Sequence, residues 1–524
     1  MFRPRPSRFV LLLALLALGL ALRAGPAARA AQQPDSSPAA AAPETPASVT
    51  RAPTRLRPGA PSDSARRAYR AWLRHLRARA IADSITRADS LARADSLARA
   101  DSLARADSLA RPAAATPAGT APAPGTDYVA QIRADFTPGN RAYATTRAAL
   151  AFIEPLFGIL VGLFMLFSGL SAGLRDVAHG LAHRAYVRTL VYVALYLAVG
   201  FVLYFPLAFY ADFALEHQYG LSTQGFGPWL WEQVLSTIQG MVFLAVVPLV
   251  YLAYIPVRRF PRHWWLVLGL CTLPVMLLFA FIQPVVIDPA FNRFTPLADK
   301  QLEARILEVA GRVGIPARHV FQVDKSRQTV KYNAYVNGFG PSQRIVLWDT
   351  TLKGMTTDEI LVVVAHEAAH YRLHHMWWSG LFVAGLSFPL FWLCAVFMRW
   401  GMARWGPRWG FTELHDLASL PLFVVALTLF STLVQPGVNA FSRKLEHDSD
   451  TYALEVTRSN DAAARAFIKL GSQNRENPDP PPVVKYFEYS HPPLIERVRF
   501  AMAYRPWQEG KADLLYRPAP EGRR

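Results

Sequence analysis

Six runs of predominantly apolar residues, each about as long as a bilayer crossing, constrain this chain more than any other feature. They lie between Arg147 and Arg175, Arg188 and Asp212, Glu232 and Arg258, His263 and Asp288, Met376 and Met398, and Leu417 and about Gln435. A helix needs about 20 such residues to cross about 30 Å of hydrocarbon, where only helices and closed barrels satisfy their own backbone. The expectation is therefore a mainly α, polytopic membrane bundle or barrel, in keeping with 52% hydrophobic and 18% charged residues. Cys271 and Cys394 both fall inside apolar runs and read as small buried hydrophobes, which leaves no disulfide framework and no cysteine metal site.

The net charge of +18 does not point to nucleic acid, because no nucleic-acid motif accompanies it. Its arginines gather in the amino-terminal region and in short loops between apolar runs. The loops at 175–188, 258–263 and 399–416 each carry three arginines, whereas the 212–232 connection has no Lys or Arg. Alternation of six spans puts the three basic loops on one side, the cytoplasm by the positive-inside rule. The polar segments around 290–375 and after 438 then face outward, across what reads as a bacterial-type inner membrane.

Residues 1–30 carry Arg3, Arg5 and Arg8, a short apolar stretch and Ala28-Arg29-Ala30, the pattern of a signal peptide or signal anchor. Residues 31–146 are rich in Ala, Pro and Arg and read as a disordered extension. Within it, residues 62–80 put Tyr69, Trp72, Leu73 and Leu76 on one helical face among six arginines, which suits an anionic membrane surface. Residues 82–111 hold ADSITR and four copies of ADSLAR. A period of six forms no apolar stripe, so the tract reads as a charged spacer.

Between the fourth and fifth runs the pattern changes. Leu302–Val313 has helical spacing, His319–Val323 reads as a strand, and 332–339 with 344–348 reads as a hairpin. Thr356 and Glu359 form a capping box that opens a helix containing His366-Glu367-Ala368-Ala369-His370. Residues i and i+4 share a helical face, so both imidazoles can grip one ion while Glu367 reaches its open side. A catalytic zinc takes three protein ligands and keeps one position for water, and Glu446 is the candidate third ligand. An edge strand beside such a helix can hold an extended peptide across the metal.

Asp450 follows Glu446 at i+4 and so points to the same place, where it either orients a ligand histidine or handles a proton. The bland reading of the pair is a charged surface helix. His491, before Pro492-Pro493 at a helix start, is placed to donate to an oxyanion, with a surface or capping histidine as the alternative. His374 and His375 adjoin Trp377 and Trp378 at the start of a span and read as interfacial.

Several segments carry a resemblance. HEAAH, a two-span hairpin, SRKLEHDSD and SHPPLIERV, with EHQYGLSTQ, IDPAFNRFTPL and NAYVNGFGPSQRIVLWDTTL, are similar to the integral-membrane zinc endopeptidases typified by the type I CAAX prenyl proteases. The resemblance covers about 147–504. It implies membrane helices around a water-filled chamber with a gluzincin-like α+β zinc peptidase domain at one end. It also implies one Zn2+ on His366, His370 and Glu446, Glu367 as catalytic base and Asp450 as proton donor. It implies polypeptide substrates, lipidated ones in the best-known members and membrane proteins under quality control in bacterial-type members. A cytosolic active site, also implied, conflicts with the loop charges. A non-catalytic membrane scaffold is the rival class.

The expected organisation is thus 1–30 signal, 31–146 extension, 147–288 four spans, 289–375 catalytic segment, 376–437 hairpin, 438–510 second catalytic segment and 511–524 tail.

Overall fold

The computed structural model of the chain describes residues 127–517 apart from 247–248, 316, 318 and 339–343. The signal-like segment, the arginine-rich helix expected over 62–80 and the ADSLAR tract lie outside the described residues.

Among the described residues, five helices are long and apolar enough to cross a membrane: Pro138–Phe167, Ala185–Gln218, Trp264–Phe291, His375–Trp409 and Leu417–Thr457. The run expected between Glu232 and Arg258 is helical where it is described, over Phe226–Val246 and Leu249–Arg259 on either side of residues 247–248. Pro138 sits in the first turn of its helix, and Thr137 Oγ1 accepts from the Asn140 N–H at 3.1 Å. Close packing of this helix on the last span depends on Gly162, where an added Cβ would lie 2.5 Å from Val425 Cγ2. Cys394 is buried as expected, but Cys271 is exposed on a helix with few inward contacts.

The last two spans overshoot the bilayer. Helices His375–Trp409 and Leu420–Thr457 have 35 and 38 residues, hence lengths of roughly 50 Å or more. The span expected to end near Gln435 instead runs on through Pro436 into the polar segment, so one continuous helical rod carries Glu446 and Asp450 beyond the apolar run.

Outside the membrane a four-stranded sheet has the order β1-β2-β4-β3: β1 Phe294–Pro296, β2 Val320–Val323, β3 Ala334–Asn337 and β4 Arg344–Trp348. β2 and β4 pair in parallel and the other contacts are antiparallel, with Ala334 opposite Leu347 and Asn337 opposite Arg344. The expected hairpin is therefore present, its turn lying outside the described residues. β3 is an edge strand.

The helix that carries His366 and His370, Thr357–Arg372, packs on this sheet. Its buried residues Val362, Val363, Ala365, Ala368 and Ala369 share one core with Ile345 and Leu347 of β4, Tyr452 and Leu454 of the long rod, and Phe467 and Val498 beyond it. The Thr356 N–H donates to Glu359 Oε2 at 2.7 Å, the reciprocal half of the expected capping box. Glu359 is itself buried and also receives Arg465 at 3.2 Å and Lys469 at 2.7 Å.

Candidate metal centre and active site

Helix Thr357–Arg372 and the long rod cross where His366, His370 and Glu446 face one another. One ligand atom from each lies within 4.8 Å of the others. His366 Nε2 is 3.1 Å from Glu446 Oε2, His370 Nε2 is 3.6 Å from Glu446 Oε1, and the two Nε2 atoms are 3.3 Å apart.

The tautomers decide what such a cluster can hold. His366 Nδ1 is 2.9 Å from Asp450 Oδ1, and Asp450 takes a bidentate contact from Arg497 at 2.8 and 2.6 Å. That saturated carboxylate accepts, so His366 donates from Nδ1 and turns the lone pair of Nε2 toward Glu446. A lone pair and a carboxylate oxygen aimed at each other repel, so either a second proton on Nε2 or a metal ion lies between them. Two imidazole nitrogens and one carboxylate form the donor set of a tetrahedral zinc site with one position left for water, so these residues fit a divalent ion.

The remaining expected residues arrive at the same place. Glu367 lines a cavity of about 1000 Å³ with His366, and among the described residues its carboxylate accepts no hydrogen bond. Burial pushes its pKa up, against the pull of the neighbouring histidines, in the direction of a usable base. His491 Nε2 stands 3.2 Å from Glu446 Oε2 at the cavity wall, its side chain half exposed. Its placement before Pro493, the cap of helix Leu494–Ala503, brings it over the cluster while Arg497 of that helix reaches underneath. Asn333 and Ala334, at the start of edge strand β3, line the same cavity.

Two contributors are not legible at the level of motif. Arg497 is only 13% exposed in its side chain, lies over the Phe467 ring at 4.0 Å and neutralises Asp450. The clue to it is physical: a carboxylate on the inner face of a helix requires a cation. His375, expected at the membrane interface, is buried instead, with Nδ1 3.2 Å from His370 Nδ1. A spacing of five is not a helical neighbour, and the contact exists because His374 breaks the helix with φ 59°.

Comparison with known proteins adds independent findings. Residues 296–505 match the family model described as peptidase family M48, and residues 129–293 match that described as the CAAX prenyl protease N-terminal domain with five membrane helices. An uncharacterized metalloprotease of Bacillus subtilis, YhfN, is 38% identical over 54% of this chain and 66% of its own length. CAAX prenyl protease 1 of Saccharomyces cerevisiae is 30% identical over 56% of this chain and 67% of its own. The crystal structure of S. mikatae Ste24p shares the fold, with a TM-score of 0.61 and 24% identity over 72% of this chain and 97% of that one.

Proposed function

This chain belongs to the multi-pass membrane metalloproteases of peptidase family M48, and from that premise we propose that it is a zinc-dependent endopeptidase whose site is built from His366, His370, Glu446, Glu367, Asp450 and His491. The observation that carries the reading is the convergence of the two Nε2 atoms and the Glu446 carboxylate, with the His366 tautomer fixed from behind by Asp450 and Arg497.

His366, His370 and Glu446 would hold the ion. Bound there, zinc supplies Lewis acidity for a scissile carbonyl and makes water nucleophilic near neutral pH. Glu367, free of other partners, takes the proton of the attacking water and passes it to the leaving amine. His491, at the cavity wall beside Glu446, donates to the oxyanion that develops on the substrate carbonyl. The substrate backbone extends along the outer edge of β3, where Asn333 and Ala334 face the same cavity as Glu367. Asp450 is best read as orienting His366 rather than as delivering a proton, because both of its oxygens are already engaged by Arg497 and His366.

Polypeptides are the substrate class. The yeast relative is named a CAAX prenyl protease, and a prenylated chain is the narrower reading for this protein. The broader one, any membrane-associated polypeptide able to enter in extended form, is favoured by the arginine-rich loops at the end of the bundle opposite the site.

Glu367→Gln should leave zinc content and thermal stability close to wild type while peptide turnover falls by roughly 10²–10⁴-fold or more. Glu446→Ala should release the metal. Unchanged turnover in the first variant or one retained zinc per chain in the second would refute the assignment.

A further inference from the structure

His375 has no role in the site so far, yet it is one of the few buried polar residues beside it, only 4% exposed. Its Nδ1 lies 3.2 Å from His370 Nδ1 and 3.3 Å from the hydroxyl of Ser449, itself buried. The two rings meet nearly edge to face, with centroids 5.1 Å apart and planes at 79°. The contact is on the far side of His370 from the cluster, since it is His370 Nε2 that faces His366 and Glu446. His375 is therefore not a fourth ligand.

We propose that His375 is the positioning residue of His370, as Asp450 is of His366. The proposal rests on the assignment of His366, His370 and Glu446 as ligands. For His370 to offer the lone pair of Nε2, its proton must sit on Nδ1, and a proton there needs an acceptor. The only side-chain nitrogen or oxygen within hydrogen-bond distance of His370 Nδ1 among the described residues is Nδ1 of His375, which accepts while its own proton stays on Nε2. The Ser449 hydroxyl, three residues after Glu446 on the rod, donates to Leu445 O at 3.1 Å and packs against the same ring.

The backbone adds a separate argument. His374 adopts φ 59° and ψ 32°, a conformation unfavourable for a side chain with a Cβ, and caps helix His375–Trp409 without a side-chain hydrogen bond. A continuous helix would carry residue 375 about 140° round the axis from residue 370, away from it. The left-handed turn returns it beneath the ring. The two supports also differ in kind: a charged pair, Asp450 with Arg497, stands behind His366, and a neutral imidazole stands behind His370.

The test uses full-length protein in detergent or nanodiscs, stripped of metal and titrated with Zn2+ against a chromophoric chelator. His375→Phe keeps the ring volume without an acceptor, and it should weaken zinc binding by roughly 10–100-fold, the usual effect of losing such a support. The melting temperature of the metal-free protein should not move. His375→Asn, whose side-chain oxygen can stand where Nδ1 stands, should recover most of the affinity. Wild-type affinity in His375→Phe, or an Asn variant as weak as the Phe variant, would overturn the proposal. Glu446→Ala in parallel separates the two layers. If that variant also keeps its zinc, the ligand assignment itself has failed; if it loses zinc while His375→Phe does not, only the role of His375 falls.

Discussion

Asp450 shows how a residue's surroundings decide its chemistry. It is buried to 1% side-chain exposure, receives His366 Nδ1 on one oxygen and Arg497 on both. A proton donor needs room to approach the leaving group, and this carboxylate stands behind a histidine. Asp450→Asn would keep the shape and one acceptor but leave the Arg497 charge buried without a counter-ion. Breaking such a pair costs about 3–5 kcal/mol. The expected outcome is a marked fall in melting temperature and zinc affinity lower by roughly 10–100-fold. The double variant Asp450→Asn/Arg497→Met should recover stability but not affinity, because the uncompensated cation is gone while the support of His366 remains weak. Thermal melts and zinc titrations of the three proteins check this. Undiminished zinc affinity with lost turnover would return Asp450 to the role of proton donor.

At the scale of elements, the rod Leu420–Thr457 joins membrane to site, and its far end is tied by the tail. Glu455, 1% exposed, accepts from Tyr504 Oη at 2.5 Å and from the backbone N–H groups of Leu514, Leu515 and Tyr516 at 2.6, 2.9 and 2.7 Å. Tyr516 also packs edge-on against Tyr452 of the rod. Glu455→Ala removes the acceptor for all four donors. Some of them then reach water, so a loss of about 2 kcal/mol is expected rather than the sum of four buried losses. The tail after Tyr504 should become sensitive to limited proteolysis while zinc stays bound. Resistance of the tail in that variant would mean that ring packing alone holds it.

Much of this arrangement is written in local pattern. The apolar runs, the capping box at Thr356, the i,i+4 spacing of His366 with His370 and of Glu446 with Asp450, and the alternation around Ala334–Asn337 each specify an element or a face. What local pattern does not carry is where elements continue or turn. The end expected near Gln435 is not an end: Pro436 costs a helix interior about 3 kcal/mol through a lost hydrogen bond and a ring clash, and the helix nevertheless continues to Thr457. His374 carries no glycine signal for a left-handed turn, and His375 is therefore misread as interfacial. Arg497 is a tertiary partner, found only by asking what balances a buried carboxylate.

For the whole molecule the open question is which compartment supplies the substrate. Arg175, on the short helix Leu170–Leu181 after the first span, bonds Asp416 at 2.6 Å and the Gly410 carbonyl at 2.9 Å, so this connection and the one between the last two spans share one end of the bundle. Tyr254 of helix Leu249–Arg259 meets His415 there, with ring centroids 6.2 Å apart, which brings the third basic loop to that end. The rod leaves this end at Leu420 and delivers Glu446 and Asp450 to the other. Clustered arginine at one end favours its retention in the cytoplasm, an orientation that would open the site outside. Single cysteines in a Cys271→Ser/Cys394→Ala background decide the matter: Asp479→Cys on the exposed rim of the site cavity and Thr412→Cys at the basic end. In intact cells a membrane-impermeant maleimide should label the first variant and reach the second only after permeabilisation. The opposite pattern would put the site in the cytoplasm, where prenylated chains are made, and would favour the narrower substrate class. The expected pattern restricts substrates to polypeptides exported across, or released from, the outer face of the membrane.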